Sequence, residues 1–298
     1  MLQLDAEAPT RVSTGAPSLL RGCPGCGRLT EHKRLFSIGN CTILRCRVCG
    51  LGRTETAAFE PERYYTDDYF TGQRADGYAD YRGAEAVLRR EFARTVEFVR
   101  ARQSGGRLLE VGCAYGFFLQ EAKPWFDVTG IELAAEAAAC CARSGLAVHA
   151  GLADEKTMRR LGTFDVIVML DVIEHLPDPH DVLHLLGRHL APGGIIVITT
   201  GDFGSPVARL FGRHWRLMTP PQHLWFFTRE SLARMARSVD LALEHVDHPW
   251  KIVPLSLVRF QLRRMLRLPQ RTQADAGGIG LPLNLFDAMR VVLRKPRA

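Results

Sequence analysis

Two acidic residues and two glycines in the middle of the chain have the spacing of a cofactor-binding turn. Residues 108–111 predict an apolar strand that contains Glu110, and Gly112 and Gly116 then bracket a tight turn before a helix. Such a turn lets a ligand approach bare backbone at the carboxyl end of a strand. Glu132 follows Glu110 by 22 residues and ends a second predicted strand, where an acid usually binds a ribose hydroxyl pair. The turn carries no Lys or Arg to meet a pyrophosphate, and Glu110 would repel phosphate, so an adenosine ligand with a cationic amino acid group fits better than a nucleotide.

Four cysteines near the N-terminus have the spacing of a metal site. Cys23 and Cys26 form one C-x2-C pair, Cys46 and Cys49 form another, and 19 residues separate the pairs. Four thiolates at this spacing predict a tetrahedral structural Zn²⁺ site on two knuckles. Two disulfide bonds are the alternative, and a reducing cytosol disfavours them.

Two histidines are candidates for proton transfer. His223 lies in a long segment, residues 201–227, that is rich in proline and aromatic residues and follows the fifth predicted strand. A loop of this length in a compact domain is usually functional, and a neutral imidazole suits proton abstraction near neutral pH. The sequence therefore predicts His223 as general base, with an anchor for the loop as the alternative role. His175 is the second candidate, either as a base or as a brace for the site.

Alternating strands and helices must position these residues. Strands are predicted near residues 107–111, 126–131, 146–149, 164–170, 194–200, 241–247 and 288–293, and helices near 81–101, 115–122, 134–144, 178–190 and 228–238. This alternation predicts an α/β fold with a parallel sheet covered by helices on both faces. Gly193 and Gly194 are expected to end the helix that begins after Asp178.

Five segments in this order resemble the class I S-adenosylmethionine-dependent methyltransferases over residues 105–248. The segments are Glu110 to Gly116, Gly130 to Glu132, Phe164 to Asp171, Glu174 to Leu176 and Ala191 to Gly194. The resemblance implies a doubly wound, mostly parallel seven-stranded sheet with the last strand antiparallel. It also implies S-adenosylmethionine as the cofactor.

The resemblance assigns cofactor contacts residue by residue. Gly112 and Gly116 admit the amino acid part of the cofactor, Glu110 orients that turn or holds the ammonium group through water, and Glu132 accepts hydrogen bonds from both ribose hydroxyls. The full predicted set is Tyr64, Tyr65, Glu110, Gly112, Cys113, Tyr115, Gly116, Glu132, Leu133, Leu170 and Asp171. Ala114 replaces the usual middle glycine of the turn. Residues 151–153 read Gly-Leu-Ala where many relatives have Asp or Asn, so adenine recognition is left unassigned.

The cysteine cluster, a tyrosine-rich segment and the loop of His223 together resemble the sugar C-methyltransferases of deoxysugar biosynthesis and their shorter relatives. In that resemblance Tyr64 and Tyr65 close over the cofactor, and a histidine at position 223 is the base. Those sugar enzymes have a further large C-terminal domain that this sequence does not include, so the acceptor is left open.

The expected organisation has four parts. These are a flexible leader (residues 1–21), a zinc ribbon (22–56), a tyrosine-rich lid and helix (57–104) and a methyltransferase domain (105–298). The N-terminus does not have the pattern of a secretory signal, and no apolar run approaches the length of a membrane span. A cytoplasmic protein is expected.

The charge distribution bears on partners. The formal net charge is +7, and residues 251–298 carry 10 Lys and Arg against 2 Asp and Glu. A small-molecule acceptor, sugar- or phosphate-bearing, is the preferred partner, acted on by O- or C-methylation. A zinc-ribbon RNA methyltransferase is the alternative, and a non-catalytic binding protein the third. Residues 251–268 predict a basic amphipathic helix that contacts an anionic acceptor or a membrane surface.

Overall fold

The computed structural model describes residues 19–56, 81–255, 258–259 and 279–297. Tyr64 and Tyr65, the predicted lid residues, lie outside this described part of the chain. Most of the predicted basic helix, residues 260–268 included, also lies outside it.

An antiparallel sheet forms the N-terminal region. Its strands are β1 (Leu19–Cys23), β2 (Arg28–Ile38), β3 (Cys41–Cys46) and β4 (Gly52–Glu55), in that order. The two C-x2-C pairs occupy the turns from β1 to β2 and from β3 to β4, so the strand pairing brings the four cysteines to one end of the sheet. A fifth strand, β10 (Trp225–Phe226), comes from the distant loop after the fifth predicted strand and pairs with β4. The small sheet is therefore continuous with the larger domain.

The larger domain is built on a seven-stranded sheet. Its members are β5 (Arg107–Val111), β6 (Asp127–Glu132), β7 (Ala147–Ala150), β8 (Phe164–Leu170), β9 (Leu190–Gly201), β11 (Ala242–Asp247) and β14 (Ala288–Arg294). The strand order is β11-β14-β9-β8-β5-β6-β7, and β14 is antiparallel to both of its neighbours. The predicted seven-stranded sheet with an antiparallel last strand is confirmed. The order reverses between β5 and β8, and such a switch point leaves a crevice at the carboxyl ends of the strands.

Buried side chains cover both faces of this sheet. Leu109, Ile167 and Ile196 belong to one apolar cluster, and their chain neighbours Leu108 and Val166 belong to another. Neighbouring strand residues point to opposite faces, so continuous apolar runs in β5, β8 and β9 require a second layer on each side. Helices supply both layers, as expected for a doubly wound sheet.

Seven α-helices lie wholly within the described ranges. They are α1 (Glu85–Arg100), α2 (Phe117–Ala122), α3 (Ala135–Arg143), α4 (Glu155–Leu161), α5 (Pro179–Arg188), α6 (Pro206–Phe211) and α7 (Arg229–Arg237). The Asp178 carboxylate accepts the amide hydrogen of Asp181 at the start of α5, and Pro179 occupies the first turn, as predicted. None of these helices is both long and apolar enough to cross a lipid bilayer.

The structure corrects the predicted elements in three places. Lys251–Pro254 form strand β12, which pairs with β13 (Gly280–Leu283), where a basic helix and a loop were expected. The β-branched Ile252 and Val253 favour a strand, and the charges that indicated a helix lie farther along the chain. Helices α4 and α6 were not predicted.

The third correction concerns the end of α5. Gly193 and Gly194 lie within β9, and α5 ends at Arg188. A Cβ atom at residue 194 would lie 2.8 Å from the carbonyl oxygen of Asp165. Close strand packing, not a helix end, therefore accounts for this glycine.

Candidate active site

The glycine turn after β5 has a backbone that other residues cannot adopt without strain. Gly112 and Gly116 have φ angles of 76° and 74°. A Cβ atom at Gly112 would lie 2.7 Å from Val172 Cγ2, and one at Gly116 would lie 2.5 Å from Leu146 Cδ1. Both glycines are therefore needed for conformation and for space, and the turn exposes backbone at the carboxyl end of β5.

Glu132 fixes this turn from the end of β6. Its Oε2 accepts the amide hydrogen of Ala114 at 2.7 Å, and its Oε1 accepts that of Ala134 at 2.8 Å. Burial raises the pKa of Glu132, and these backbone donors oppose the rise. Ala114, at a φ of 46°, contributes its amide to the turn. Each carboxylate oxygen has a second lone pair, so Glu132 can also accept ribose hydroxyls.

Glu110 is buried beneath the turn. The residue is 3% exposed, and its Oε2 has no hydrogen-bond partner within the ranges that the structure describes. Burial raises the pKa of Glu110 well above its ordinary value. A buried carboxylate without a partner is costly, and a cationic ligand at the turn would supply one. This environment fits the ammonium group of S-adenosylmethionine.

The remaining predicted cofactor residues fall into two groups. Cys113 and Tyr115 are buried; Tyr115 stacks on Phe117 at 6.3 Å between ring centroids, and a Cβ atom at Gly130 would lie 2.7 Å from the Cys113 sulfur. These two side chains therefore pack inside the domain, and their backbone remains the part that can face a ligand.

The second group lies at the strand ends. Leu133 and Leu170 are half-buried beside β6 and β8. The Asp171 carboxylate accepts hydrogen bonds from Thr199 Oγ1 and from the Lys251 ammonium, each at 2.9 Å. The ends of β5, β6 and β8 thus bring the predicted acids to one edge of the sheet.

The two candidate histidines form a pair. His175 ends a 3₁₀ turn, Ile173–His175, directly after β8, and its ring lies 4.7 Å from that of His223 in an edge-to-face arrangement. His175 Nδ1 lies 2.9 Å from the Gln222 carbonyl oxygen, and His223 Nδ1 lies 2.8 Å from that of Leu217. Because a carbonyl oxygen only accepts, each Nδ1 donates, and Nε2 of each neutral ring carries the lone pair.

Both histidines are held in the neutral form. Burial lowers the pKa of His175 to about 4. Burial, together with the neighbouring His175, lowers the pKa of His223 to about 3. The sequence predicted each histidine separately but not their pairing, since they are 48 positions apart. Each histidine lies in a segment that follows a parallel strand of the sheet. Since the carboxyl ends of these strands meet at one edge, this was the signal in the sequence that the histidines could lie close together.

Glu174 completes this cluster and was not among the predicted site residues. It is 4% exposed, and no residue in the described part of the chain hydrogen-bonds its Oε2. Burial raises the pKa of Glu174 to about 8. One candidate ligand atom from each of Glu174, His175 and His223 lies within 4.8 Å of the other two. An acid directly before His175, within an otherwise apolar turn, was the sequence signal for it.

The four predicted metal-binding cysteines converge. Cys23 Sγ lies 3.5 Å from Cys49 Sγ, and Cys26 Sγ lies 3.9 Å from Cys46 Sγ. Four sulfurs that surround Zn²⁺ at ~2.3 Å in a tetrahedron stand about 3.8 Å apart. All four cysteines are free thiols, and the sulfurs are too far apart for disulfide bonds, which need about 2.05 Å.

The small sheet contacts the segment that carries His223. Thr54 Oγ1 donates a hydrogen bond to the His223 carbonyl oxygen at 2.6 Å, and the Thr54 amide donates to that of Leu224 at 2.9 Å. The Leu224 amide in turn donates to the carbonyl oxygen of Glu174 at 2.9 Å. One short stretch of backbone therefore joins the cysteine-bearing sheet to both sides of the histidine pair.

The other end of the same loop is held by a buried acid. Asp287 is 1% exposed; its carboxylate accepts two hydrogen bonds from the Arg216 guanidinium, at 2.8 and 3.0 Å, and one from Trp215 Nε1 at 2.8 Å. Bidentate pairing of this kind is geometrically specific. The loop around His223 is thus fixed by the small sheet on one side and by Asp287 on the other.

Comparisons with known proteins match this part of the chain. A family model described as a methyltransferase domain matches residues 83–246. The ubiquinone biosynthesis O-methyltransferase of Alkalilimnicola ehrlichii is 31% identical over 153 residues, which are 47% of this chain and 62% of that relative's length. The enzyme of the same name from Xanthomonas oryzae pv. oryzae is 28% identical over 176 residues, 52% of this chain and 73% of the relative.

The solved structures that are similar to this chain are more distant in sequence. The plantazolicin methyltransferase BpumL, in complex with a monoazolic substrate analogue and SAH, is 15% identical with a TM-score of 0.47, over 72% of this chain and 86% of that one. A complex between the Trm112 methyltransferase activator of Haloferax volcanii and a methyltransferase is 12% identical with a TM-score of 0.49, over 81% of this chain and 100% of that one.

Proposed function

Because this chain belongs to the class I S-adenosylmethionine-dependent methyltransferases, we propose that it transfers the methyl group of S-adenosylmethionine to a hydroxyl oxygen of a small-molecule biosynthetic intermediate. The observation that carries the proposal is the His175–His223 pair at the carboxyl edge of the sheet, beside the glycine turn. Oxygen is the proposed acceptor atom because the curated relatives bear the name O-methyltransferase.

The residues around the turn would hold the cofactor. Glu132 would accept the ribose hydroxyls with the lone pairs that its backbone donors leave, and Glu110 would face the ammonium group. The backbone of Gly112 and Gly116 would admit the amino acid part. S-adenosylmethionine supplies an activated methyl group when bound, so the protein's own residues need to align the acceptor and deal with its proton.

His223 is the residue on which acceptor activation depends in this proposal. The acceptor O–H bond breaks, the oxygen bonds to the methyl carbon, and the methyl–sulfur bond breaks to leave a neutral thioether. Nε2 of His223 is the atom that can receive the proton directly, which is the role the sequence predicted. A sugar or sugar nucleotide acceptor remains a proposal from the sequence resemblance.

The cysteine cluster is proposed to bind one structural Zn²⁺. The four free thiols and their near-tetrahedral spacing fit that ion. Through β4 and Thr54, the ribbon would then hold the backbone of His223 in place. In this proposal zinc affects catalysis only by holding β4 in place, because the hydrogen bond to the His223 backbone comes from Thr54.

Methyl transfer from isotopically labelled S-adenosylmethionine to a panel of catechols, phenols, sugars and sugar nucleotides tests the proposal. We expect an O-methylated product from the wild-type protein. His223→Ala should lower kcat by about 10²–10⁴-fold with cofactor affinity nearly unchanged. His189→Asn is the matched control, because His189 Nδ1 also donates to a carbonyl oxygen, that of Gly162 at 2.8 Å, but His189 lies between the end of α5 and the start of β9. Product methylated only at carbon or nitrogen would contradict the proposal.

A further inference from the structure

We propose that Glu174, His175 and His223 bind one divalent metal ion, which activates the acceptor hydroxyl. The ion's catalytic role rests on the proposed function, but its binding does not. Two imidazoles and one carboxylate form the donor set that transition metals such as Fe²⁺ and Mn²⁺ occupy with open positions left for other ligands. One candidate ligand atom from each of the three residues lies within 4.8 Å of the other two.

Hydrogen bonds to the backbone orient both imidazoles for this task. His175 Nδ1 donates to Gln222 and His223 Nδ1 donates to Leu217, each to a carbonyl oxygen. Histidines that ligate metals commonly donate their other ring N–H to a carbonyl or carboxylate, which fixes the tautomer and the ring orientation. The lone pair of each ring is therefore on Nε2, the atom that would bind the ion.

The carboxylate of Glu174 provides an independent observation. Its Oε2 is buried and has no hydrogen-bond partner among the described residues, in a residue that is 4% exposed. A buried polar atom in this condition calls for a partner such as an ion. A cation at the centre of the three donor atoms would be that partner.

The site lies where the methyl group must be delivered. Glu174 and His175 belong to the 3₁₀ turn that follows Val172, and a Cβ atom on Gly112 of the cofactor turn would lie 2.7 Å from Val172 Cγ2. The cluster therefore adjoins the glycine turn. Three protein ligands leave open positions on the ion, and an acceptor with a hydroxyl next to a second oxygen could fill two of them.

The chemistry changes in one respect when the ion is bound. The ion lowers the pKa of the coordinated hydroxyl, and the proton leaves to solvent. The oxygen then bonds to the methyl carbon as the methyl–sulfur bond breaks. His223 Nε2 would be a ligand in this arrangement, so the ion replaces direct proton abstraction by that residue. The class of acceptor becomes a vicinal diol, a catechol or a comparable pair of adjacent oxygens.

Manganese is the probe that separates this site from the cysteine cluster, because Mn²⁺ prefers oxygen and nitrogen ligands to thiolates. Full-length protein is treated with a mild chelator and titrated with Mn²⁺ under electron paramagnetic resonance. We expect one bound Mn²⁺ per chain. We also expect a fall of at least about 10–100-fold in affinity for Glu174→Gln, since even residues behind the ligands have effects of that size. His189→Asn should bind Mn²⁺ as the wild type does.

A second measurement needs no variant and therefore does not depend on Glu174→Gln folding. Spin-echo modulation of bound Mn²⁺ should show coupling to ¹⁴N of histidine. Absence of a bound ion in the wild type, absence of nitrogen coupling, or equal affinity in a folded Glu174→Gln protein would overturn the proposal. Methyl transfer is scored separately: transfer that continues unchanged in excess chelator removes the ion's role and leaves the proposed function standing.

Discussion

Thr54 Oγ1 donates a 2.6 Å hydrogen bond to the carbonyl oxygen of His223, across 169 positions of sequence. The donor lies on β4 of the small cysteine-bearing sheet, and the acceptor belongs to the candidate active-site pair. This part-buried hydrogen bond links the small sheet to the residue proposed as the general base. The small sheet is therefore part of the active-site framework.

Thr54→Val removes this bond while it keeps the shape of the side chain. We expect the protein to lose about 1 kcal/mol of stability, the usual net value of one hydrogen bond. We also expect kcat to fall while S-adenosylmethionine affinity stays constant, because Thr54 hydrogen-bonds the backbone of His223 and Leu224 and the proposed cofactor contacts lie in the glycine turn. Chemical denaturation, calorimetry and steady-state kinetics measure the three quantities.

Thr42→Val is the matched control for that variant. Thr42 lies on β3 of the same sheet and shares a 3.3 Å hydrogen bond with Ser37, within the small sheet itself. It should change stability by a similar or smaller amount and leave kcat unaltered. Equal losses of kcat in both variants would mean that the bond to His223 has no special effect.

Glu132→Ala tests the proposed ribose site. The substitution removes the acceptor of two backbone hydrogen bonds as well as the proposed ribose contacts. S-adenosylmethionine binding should weaken by about 1.5–3 kcal/mol, the range for hydrogen bonds to a charged group. Glu136→Ala, an exposed acid on α3 that pairs with Arg143 at 2.6 Å, should bind normally. Calorimetry that finds unchanged affinity in a folded Glu132→Ala protein would remove Glu132 from the site.

Local patterns were sufficient to predict the large sheet. Strands β5, β8 and β9 contain apolar runs, and the Gly112–Gly116 turn requires positive φ angles that glycine permits. These signals are contained within a few neighbouring residues, so they could be interpreted before any tertiary contact was known. The cysteine spacing is a signal of the same local kind.

Contacts between distant segments could not be predicted in this way. The pairing of Trp225 with Arg53 depends on how two separately predicted regions meet. Glu174 was missed for a similar reason: its cluster with His175 and His223 depends on where the distant segment of His223 lies. Lys251–Pro254 were predicted as helix from charge farther along the chain, but the partner strand Gly280–Leu283 determines their conformation.

Glu110→Gln should make the cofactor-free protein more stable at neutral and alkaline pH. Burial raises the pKa of Glu110 well above its ordinary value, so the fold favours the protonated acid. The stability that this preference contributes is present below the unfolded pKa of about 4.3 and is lost as the pH rises toward the folded pKa. The Gln side chain does not ionise, so the advantage of the variant in Tm over the wild type should grow from pH 5 to pH 8.

The same variant should bind S-adenosylmethionine more weakly, because the proposed ammonium contact loses its charge. Thermal melting with and without cofactor measures both effects. If the difference in Tm between the wild type and Glu110→Gln does not change with pH, Glu110 is not the buried acid described above. Glu121→Gln, a half-buried acid on α2 that pairs with Arg89 at 2.6 Å, serves as the control.

Zinc removal provides the last test of the link between the small sheet and the active site. Cys46→Ser should abolish the one equivalent of zinc expected per chain, since Cys46 is one of four clustered thiols. Cys41→Ser should retain it, because Cys41 is a buried free thiol on the same strand outside that cluster. Elemental analysis counts the metal in both proteins. We expect Cys46→Ser to lose kcat along with zinc, because β4 can no longer hold Thr54 against His223. If the variant loses zinc but retains full kcat, the ribbon does not position His223, and the 2.6 Å bond between Thr54 and His223 forms without help from the metal.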